Sequence, residues 1–386
     1  MTIAVIQDRP IYKYNNDYYF VNYSDIVKYG KLCDKLIYCC SVELTSDETL
    51  VAKYKCWRDF NFLEIREVIK SPLKEFIHTS SYNKNAVKNV ASKADIVVIK
   101  TPSITIGRWA YRYLKKIGKK CILESIACGW DSYWYHNLKG KIMAVPSYLN
   151  MKKMIYNADY VVYVTNRFLQ ERYPTKGKWI AASNVVLEEA DETILQKRLK
   201  RIDEIQDNES LKIGTAGAVN IKFKGQEYVI KAIARLKSEG ISFDYYLAGG
   251  GDQTRLAKLA SKLGIEKNVH FLGAVPKNKM TEFYDSLDIY IHPSLAEGLP
   301  RVLIEAERRA LPSCGADAAG TPELLEDYFV FEKQDVESVC KVLKKFSKDV
   351  MRKQAQINYE RSKEYSLPIL DERRKKFYGD VLKKYI

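Results

Sequence analysis

Short apolar runs alternate with amphipathic, helix-like segments along most of the chain. Such runs lie at Met1–Gln7, Asp95–Lys100, Tyr160–Thr165, Lys212–Thr215 and Asp288–Ile291. They are continuous rather than alternating between apolar and polar residues, which is typical of parallel strands covered by helices on both faces. The pattern therefore predicts an α/β protein with two doubly wound sheets.

The length of the chain implies more than one hydrophobic core. At 386 residues the chain exceeds the roughly 250–300 residues beyond which a single core usually stops growing. Two domains are therefore expected. A long charged tract from Glu188 to Glu209 is expected to span the connection between the domains and an exposed helix.

Composition and cysteine content describe an ordinary globular protein. Hydrophobic residues make up 46% of the chain and charged residues 29%, and no apolar segment approaches the ~20 residues that span a bilayer. The eight cysteines form no C-x-x-C pair and no signal-peptide pattern is present. We therefore expect free thiols in a reducing, cytoplasmic setting.

The segment from Glu297 to Glu305 carries the strongest candidate chemistry. It follows an apolar run and a polar loop, and Pro300 is suited to the first turn of a helix. One carboxylate is thus expected in the loop and the other about two turns into the helix, near free backbone N–H groups that can hold a phosphate. Carboxylates accept hydrogen bonds from sugar hydroxyls, whereas a diphosphate needs N–H donors and positive charge. The alternative is an ordinary capped helix with solvent-facing glutamates.

Other predicted strands in the second half end in small or basic residues. The run Lys212–Thr215 leads into a Gly/Ala loop that is followed by Lys222 and Lys224, and glycines close two further runs at Gly249 and Gly273. Glycine at a strand end permits close approach of the backbone to a ligand. Taken alone, either lysine could equally be a solvated loop charge.

These elements, in this order, resemble the donor-binding half of retaining glycosyltransferases with the GT-B fold, most closely glycosyltransferase family 4 (glycosyl transferases group 1). The resemblance implies that Glu297 contacts the transferred sugar as a catalytic residue and that Glu305 binds the nucleotide ribose. It further implies that the backbone of Gly298 and Leu299 meets the diphosphate. The donor would be a nucleotide diphosphate sugar, linked to UDP or GDP.

The basic loop and the glycine-bearing strand ends take their roles from the same resemblance. Lys224 matches a family lysine that clamps the donor diphosphate. The family arginine that accompanies this lysine is replaced by Ala218, and we hypothesise that Lys222 supplies the missing charge. The nucleoside is expected to meet residues at two strand ends, namely Gly249, Gly273 and Val275.

The resemblance also implies an architecture of two Rossmann-like domains that face a central cleft. Residues 1–185 would bind the acceptor and residues 186–367 the donor. A C-terminal helix, Pro368–Ile386, would cross back to the N-terminal domain.

The N-terminal half gives weaker signals for the acceptor side. The family's glycine-rich loop after the first strand is replaced by Gln7–Asn16. A strand is predicted to end near Glu124, and beyond it the family carries a histidine or aspartate at the reaction centre, for which Asp131 and His136 are the catalytic candidates. An aspartate before serine is also a common turn former, and a lone histidine beside aromatics is more often structural. His292 is interpreted as structural.

The formal net charge of +15 calls for an anionic partner. Arg108–Lys120 combines aromatic and basic residues on a predicted helix, which suits a segment lying on an anionic membrane. The alternative is an amphipathic helix with Leu114 and Ile117 in the core and its lysines in water. Because many family members extend polyprenyl-diphosphate-linked glycans, the expected acceptor is a glycan or such a lipid-linked glycan. A peripheral position on the inner face of the plasma membrane would follow.

Metal and nucleic acid are not expected as partners. The other large glycosyltransferase fold holds its metal with an Asp-x-Asp pair, which this chain lacks, so neither metal nor cofactor is expected. No helix-turn-helix, RNA-binding sheet or zinc finger is recognisable. The predicted function is retaining, metal-independent sugar transfer in bacterial surface polysaccharide biosynthesis (capsule, O-antigen or exopolysaccharide). The alternatives are a GT-B-like nucleotide-sugar epimerase and a basic nucleic-acid-binding protein.

Overall fold

The chain forms two compact units, each built on a sheet of mainly parallel strands. The computed structural model describes residues 1–20, 23–52, 54–69, 79–135, 138–187, 189, 191–206 and 209–383. The first unit comprises residues 1–184 with 371–386, and the second comprises residues 185–370. The mixed α/β class with parallel sheets, expected from the continuous apolar runs, is confirmed.

Among the residues that the structure describes, the first unit contains ten strands. Its parallel core has the order β6-β4-β1-β7-β8-β9-β10, and β2, β3 and β5 extend the sheet beyond the long strand β4. The pairs β2–β3 and β3–β5 are antiparallel. The strands are β1 (Thr2–Ile6), β2 (Ile11–Tyr14), β3 (Asp17–Phe20), β4 (Lys35–Leu44), β5 (Lys55–Cys56), β6 (Leu63–Val68), β7 (Ile96–Thr101), β8 (Cys121–Ser125), β9 (Tyr160–Tyr163) and β10 (Lys178–Ala181).

Helices cover this first sheet and bury their apolar sides against it. They are α1 (Ser24–Gly30), α2 (Glu48–Val51), α3 (Ser81–Lys93), α4 (Ile106–Lys116), α5 (Asp131–Trp134), α6 (Leu138–Tyr156) and α7 (Phe168–Arg172). In α4, for example, Ala110, Tyr111 and Leu114 are buried. Strands such as β1 and β7 are buried along almost their whole length, as the continuous apolar runs predicted.

A buried ionic network fixes α1 against the carboxyl ends of β7 and β8. Lys28 donates to Glu124 at 2.7 Å and lies 3.1 Å from Asp25, which also pairs with Lys100. Burial alone would raise the pKa of Glu124, but Lys28 and Lys100 lower it to about 2. The carboxylate therefore stays ionised, and the network depends on every partner remaining in place.

Within its described ranges, the second unit holds a six-stranded, fully parallel sheet with the order β13-β12-β11-β14-β15-β16. Its strands are β11 (Leu211–Ala216), β12 (Phe243–Ala248), β13 (Val269–Gly273), β14 (Ile289–His292), β15 (Ser313–Ala316) and β16 (Val330–Phe331). Its helices are α8 (Glu192–Glu204), α9 (Gln226–Ser238), α10 (Thr254–Lys262), α11 (Met280–Ser286), α12 (Arg301–Arg308), α13 (Val336–Leu343) and α14 (Lys348–Lys363).

The last described helix, α15 (Leu367–Lys383), begins in the second unit, and from residue 371 it belongs to the first. Arg374 donates to the backbone oxygens of Ala182 and Ser183, and the Tyr378 ring lies 6.5 Å from that of Tyr29. Among the described residues, no helix combines the length and apolar character needed to cross a bilayer.

Candidate functional site

The strand order of the second unit locates its ligand site. The chain winds outwards from β11 through β12 to β13, and then returns to the other side of β11 with β14. In open parallel sheets of this kind, ligands bind beyond the carboxyl ends of the strands where the winding reverses. The loops that follow β11 and β14 are therefore the place to look for functional side chains.

The loop after β11 packs directly on the loop after β14. It closes in a 3₁₀ turn, Lys222–Lys224, followed by Gly225 with a φ of +72°. A Cβ at residue 225 would lie 2.0 Å from the carbonyl oxygen of Pro293, so only glycine fits there. The backbone N–H of Leu295 donates to Phe223 O at 2.7 Å. These contacts fix the basic turn against the acidic loop.

This packing brings Lys224 onto Glu297. Lys224 Nζ donates to Glu297 Oε1 at 2.6 Å, and the two side chains are only 24% and 17% exposed. Burial by itself would raise the pKa of Glu297, but Lys224 and His292 hold it well below its ordinary value. Glu297 is therefore an anion at neutral pH, and a lysine ammonium is fixed beside it.

His292 is a member of this cluster that the sequence analysis interpreted as structural only. It is the last residue of β14 and is almost fully buried, and its Nε2 lies 3.3 Å from Glu297 Oε1 without the alignment of a hydrogen bond. Neither ring nitrogen has a hydrogen-bond partner among the described residues. Its position at the end of the strand before Glu297 was the available signal, but the sequence could not show the direction of the ring.

Glu305 lies on α12, near the same strand end. Tyr284 Oη donates to Glu305 Oε2 at 3.0 Å. Burial raises the pKa of Glu305, although Tyr284, Arg301 and Lys277 oppose the shift. Burial raises the pKa of Tyr290, and the charges of Glu305 and Glu297 add to this shift, so both carboxylates lie near one side chain of β14.

The loop that carries Glu297 leads into the N-terminus of α12. Pro300 precedes α12 as its N-cap, and no side chain of the described residues caps this helix end. Gly298 O accepts from Gly320 N at 2.9 Å, which ties the loop after β14 to the loop after β15. Leu299 is buried in this loop. The arrangement leaves a helix N-terminus beside Glu297, as an anion site requires.

The ends of β11, β12 and β13 meet at glycines. Gly249 N donates to Gly273 O at 2.8 Å, and a Cβ at Gly249 would lie 2.0 Å from Gly217 O. Val275 follows as a partly buried residue. Lys222, by contrast, is exposed on the 3₁₀ turn, and no contact joins it to Glu297 among the described residues.

The acceptor-side candidates lie in the first unit. Asp131 is the first residue of the short helix α5 and is partly exposed. His136 lies outside the described residues. Sequence reasoning missed Asp8, which follows β1 and accepts from Ser103 Oγ at 2.8 Å. Burial raises the pKa of Asp8 to about 6 despite hydrogen bonds that oppose the shift. Burial also raises the pKa of Tyr133 in α5 to about 12, and the charge of Asp8 adds to that shift.

Metal ligation has no cluster to support it within the described ranges. No three His, Cys, Asp or Glu side chains come together there in a way that could hold an ion. Lys224 places a positive charge beside the loop after β14.

The chain is similar to known glycosyltransferases. Residues 196–363 match the family model described as glycosyl transferases group 1. Protein CapJ of Staphylococcus aureus is 29% identical over 348 residues, which cover 89% of this chain and 85% of CapJ. A putative colanic acid biosynthesis glycosyltransferase, WcaL of Salmonella typhimurium, is 27% identical over 135 residues, covering 32% of this chain and 33% of WcaL.

A solved structure extends the likeness to both units. HepE of Anabaena, in complex with UDP-glucose, matches with a TM-score of 0.67 at 15% identity, and the match covers 98% of this chain and 100% of HepE. At this identity the likeness concerns the fold. The family match lies on the second unit, which carries the Lys224–Glu297 pair. Residues 196–363 are therefore similar to the group 1 glycosyltransferases, and the chain has the GT-B fold.

Proposed function

We propose that this protein transfers a sugar from a nucleotide diphosphate sugar to a glycan or lipid-linked glycan with retention of anomeric configuration. The observation that carries the proposal is the Lys224–Glu297 pair at the winding reversal of the parallel sheet. A sugar diphosphate offers hydroxyls for carboxylates and a charged leaving group for a cation. One end of this sheet holds both kinds of partner.

The proposed roles follow from chemistry and position. Glu297 accepts hydrogen bonds from hydroxyls of the transferred sugar, and Glu305 accepts from the ribose. Lys224 and the backbone N–H groups at the start of α12 bind the diphosphate, while Gly249, Gly273 and Val275 border the nucleoside. Lys222 adds long-range positive potential.

In the proposed reaction, the bond between the anomeric carbon and the diphosphate oxygen breaks as the acceptor oxygen approaches from the same face. The acceptor proton passes to the leaving phosphate, and the glycosidic bond forms with retention. Negative charge builds on the phosphate during this step, so a cation already fixed in place lowers the barrier. Lys224 is held there by Glu297, and no metal is required.

The donor and acceptor classes draw on the relatives. HepE was solved with UDP-glucose, which supports a UDP-sugar donor, although GDP-sugars fit the same chemistry. WcaL is named for the biosynthesis of colanic acid, which supports a role in bacterial surface polysaccharide assembly. We propose a glycan or polyprenyl-diphosphate-linked acceptor, with Asp131 and His136 on the acceptor side, and a cytoplasmic enzyme peripheral to the inner membrane face.

A panel of nucleotide sugars tests the donor first. The matching donor stabilises the folded protein by mass action, by about 2.7 kcal/mol at one hundred times its Kd. Transfer to acceptor glycans in the presence of a chelator, with the product anomer read by NMR, then tests retention and metal independence. An epimerised donor without transfer selects the epimerase. Binding to generic duplex DNA without any response to nucleotide sugars selects the nucleic-acid-binding alternative.

A further inference from the structure

The helix α6 presents an apolar stripe to solvent. Leu138 is 80% exposed, Ile142 75% and Leu149 58%, and Val145 and Tyr156 are also exposed. At about 100° per residue these five positions fall within an arc of roughly 60°, and the stripe runs for roughly 27 Å along the helix. Single exposed apolar residues are ordinary, but several of them on one helix face mark an interaction surface.

The opposite face of α6 already holds the helix on the protein. Ala144, Ser147, Met151, Met154 and Ile155 are buried and lie roughly opposite the stripe. The helix is therefore apolar on two sides. Such a helix is normally buried on all sides, so we expect the exposed side to contact a partner.

Four lysines flank the stripe. Lys141 and Lys152 lie on one side of it and Lys139 and Lys153 on the other, all exposed, and α6 contains no aspartate or glutamate. Aromatic residues accompany them, since Lys141 lies over the Trp134 ring and Lys152 over the Tyr148 ring. Apolar side chains bordered by cations and aromatic rings are the composition of a helix that lies in a lipid headgroup layer.

We propose that α6 docks this protein on an anionic lipid surface, with the stripe inserted among the acyl chains and the four lysines at the level of the headgroups. Each lysine near an anionic surface strengthens binding about fivefold. The lysine positions favour this occupant over a second copy of the chain. If two copies of α6 paired as a coiled coil along this stripe, its alternating four- and three-residue spacing would place Lys152 in the apolar interface. Pro146 inside α6 would also disturb a long, regular helix pair.

The membrane-docking surface proposed on α6 differs from Arg108–Lys120, the segment that the sequence indicated. Arg108–Lys120 corresponds largely to α4, which turns Ala110 and Leu114 inward and pairs Lys115 with Asp159 at 3.2 Å. Among the aliphatic residues of that segment, Ile117 is exposed. The membrane partner expected from the net charge is thus assigned to α6.

The docking surface rests on the proposed function in one respect, because a lipid-linked acceptor is presented at a membrane. Membrane binding can nevertheless be tested without any acceptor or donor. Flotation with phosphatidylcholine vesicles, with and without about one third phosphatidylglycerol, measures the partition of the full-length protein. The test variant is the triple substitution Leu138→Gln, Ile142→Gln and Leu149→Gln. The matched control changes three exposed aliphatic residues elsewhere in the same unit, namely Leu44→Gln, Ile69→Gln and Ile117→Gln.

The wild type is expected to float with the anionic vesicles, and the triple α6 variant to bind at least about tenfold less tightly while the control stays within about twofold. Replacing the four lysines by glutamine is expected to remove the preference for anionic lipid. Equal flotation of the triple variant and the wild type, or no wild-type preference for anionic vesicles, overturns the proposal. So does a dimer of the wild type in vesicle-free solution that the triple variant abolishes, because the stripe then pairs two copies.

Thermal stabilisation by the identified nucleotide sugar, measured on the same variants, distinguishes membrane docking through α6 from the proposed sugar transfer. The α6 variant retains this stabilisation if the helix only docks the protein. Vesicle binding without any nucleotide-sugar response would remove the proposed function and leave the docking surface standing.

Discussion

The Lys224→Met substitution tests the central electrostatic contact of the site. Methionine keeps the length and most of the apolar stem of lysine but removes the charge. Lys224 Nζ lies 2.6 Å from Glu297 Oε1, in a position where both side chains are less than a quarter exposed. Without the ammonium, Glu297 remains buried beside His292 with its strongest stabilising partner gone.

The magnitude follows from the geometry. A unit charge pair about 4 Å apart at an effective dielectric near 20 interacts by roughly 4 kcal/mol, and partial solvent exposure reduces the net loss of folding stability to about 1–3 kcal/mol. The catalytic loss is expected to be larger, because the same ammonium faces the charge that develops on the leaving phosphate. Removal of one such group lowers kcat about 10²–10³-fold.

The sign of the pH dependence provides a second readout. The pKa of Glu297 is lowered in the folded protein, so its contribution to stability is present above its ordinary pKa of 4.5 and is lost as the pH falls through the folded-state value. The difference in melting temperature between the wild type and Lys224→Met should therefore be largest at neutral pH and shrink below about pH 4.5. In the variant, burial raises the pKa of Glu297, and kcat/KM should gain an acidic limb.

Steady-state transfer with the identified donor and thermal melts from pH 4 to 8 measure these quantities. Lys262→Met, which removes an exposed lysine at the end of α10, serves as the matched control and should leave both rate and melting temperature unchanged. Lys222→Met should lower the rate less than Lys224→Met, because its side chain is exposed. A Lys224→Met enzyme that retains kcat within about threefold, with no acidic limb, would refute this reasoning.

Three further substitutions test separate features of the second unit. Glu305→Gln should raise KM for the donor about tenfold and lower kcat much less, because the proposed ribose contact is the same in the bound state and in the transition state. Steady-state kinetics measure both constants, and a loss confined to kcat would contradict a ribose contact. Glu307 is fully buried beside Arg361, and burial raises its pKa to about 8. Its stabilising contribution is therefore present below pH 4.5 and lost as the pH rises through 8. Glu307→Gln should reduce the loss of unfolding free energy between pH 5 and 9 by about 1–3 kcal/mol, within a ceiling of roughly 5 kcal/mol set by 1.36 kcal/mol per unit of pKa shift. Thermal unfolding at each pH measures this loss, and equal losses in the variant and the wild type would contradict the raised pKa of Glu307. Gly225→Ala should lower the free energy of unfolding by at least about 2 kcal/mol and weaken donor binding, because the new Cβ meets Pro293 O. Gly240→Ala, also at positive φ but with open space around it, should lower the free energy of unfolding by only about 1 kcal/mol. Equal denaturation midpoints of the two variants would contradict the packing argument.

The fold class could be predicted from the sequence because it is encoded locally. Continuous apolar runs specify strands buried on both faces, and β7 at Ile96–Thr101 and β11 at Leu211–Ala216 lie within a residue or two of the predicted runs. The GT-B fold was predicted from the resemblance and is confirmed by the structural likeness. Helix α12, which starts immediately after Pro300, follows from the same local rules.

The contacts of the site depend on long-range pairing that no local pattern encodes. Lys224 and Glu297 are 73 residues apart, and they meet only because β14 pairs with β11. The approach of His292 to Glu297 depends on the direction of one ring at a strand end. The exposed stripe of α6 also could not be predicted from the sequence, because an apolar pattern on two sides of a helix indicates burial of both sides.

Amide hydrogen exchange with and without the identified nucleotide sugar locates the donor on the chain. If the loops after β11 and β14 hold the donor, exchange slows in two segments, residues 217–225 after β11 and residues 297–303 at the start of α12, and Lys224→Met loses this protection at the same donor concentration. Donor-induced protection confined to the first unit, or stabilisation by the donor with neither segment protected, would contradict the claim that these loops hold the donor.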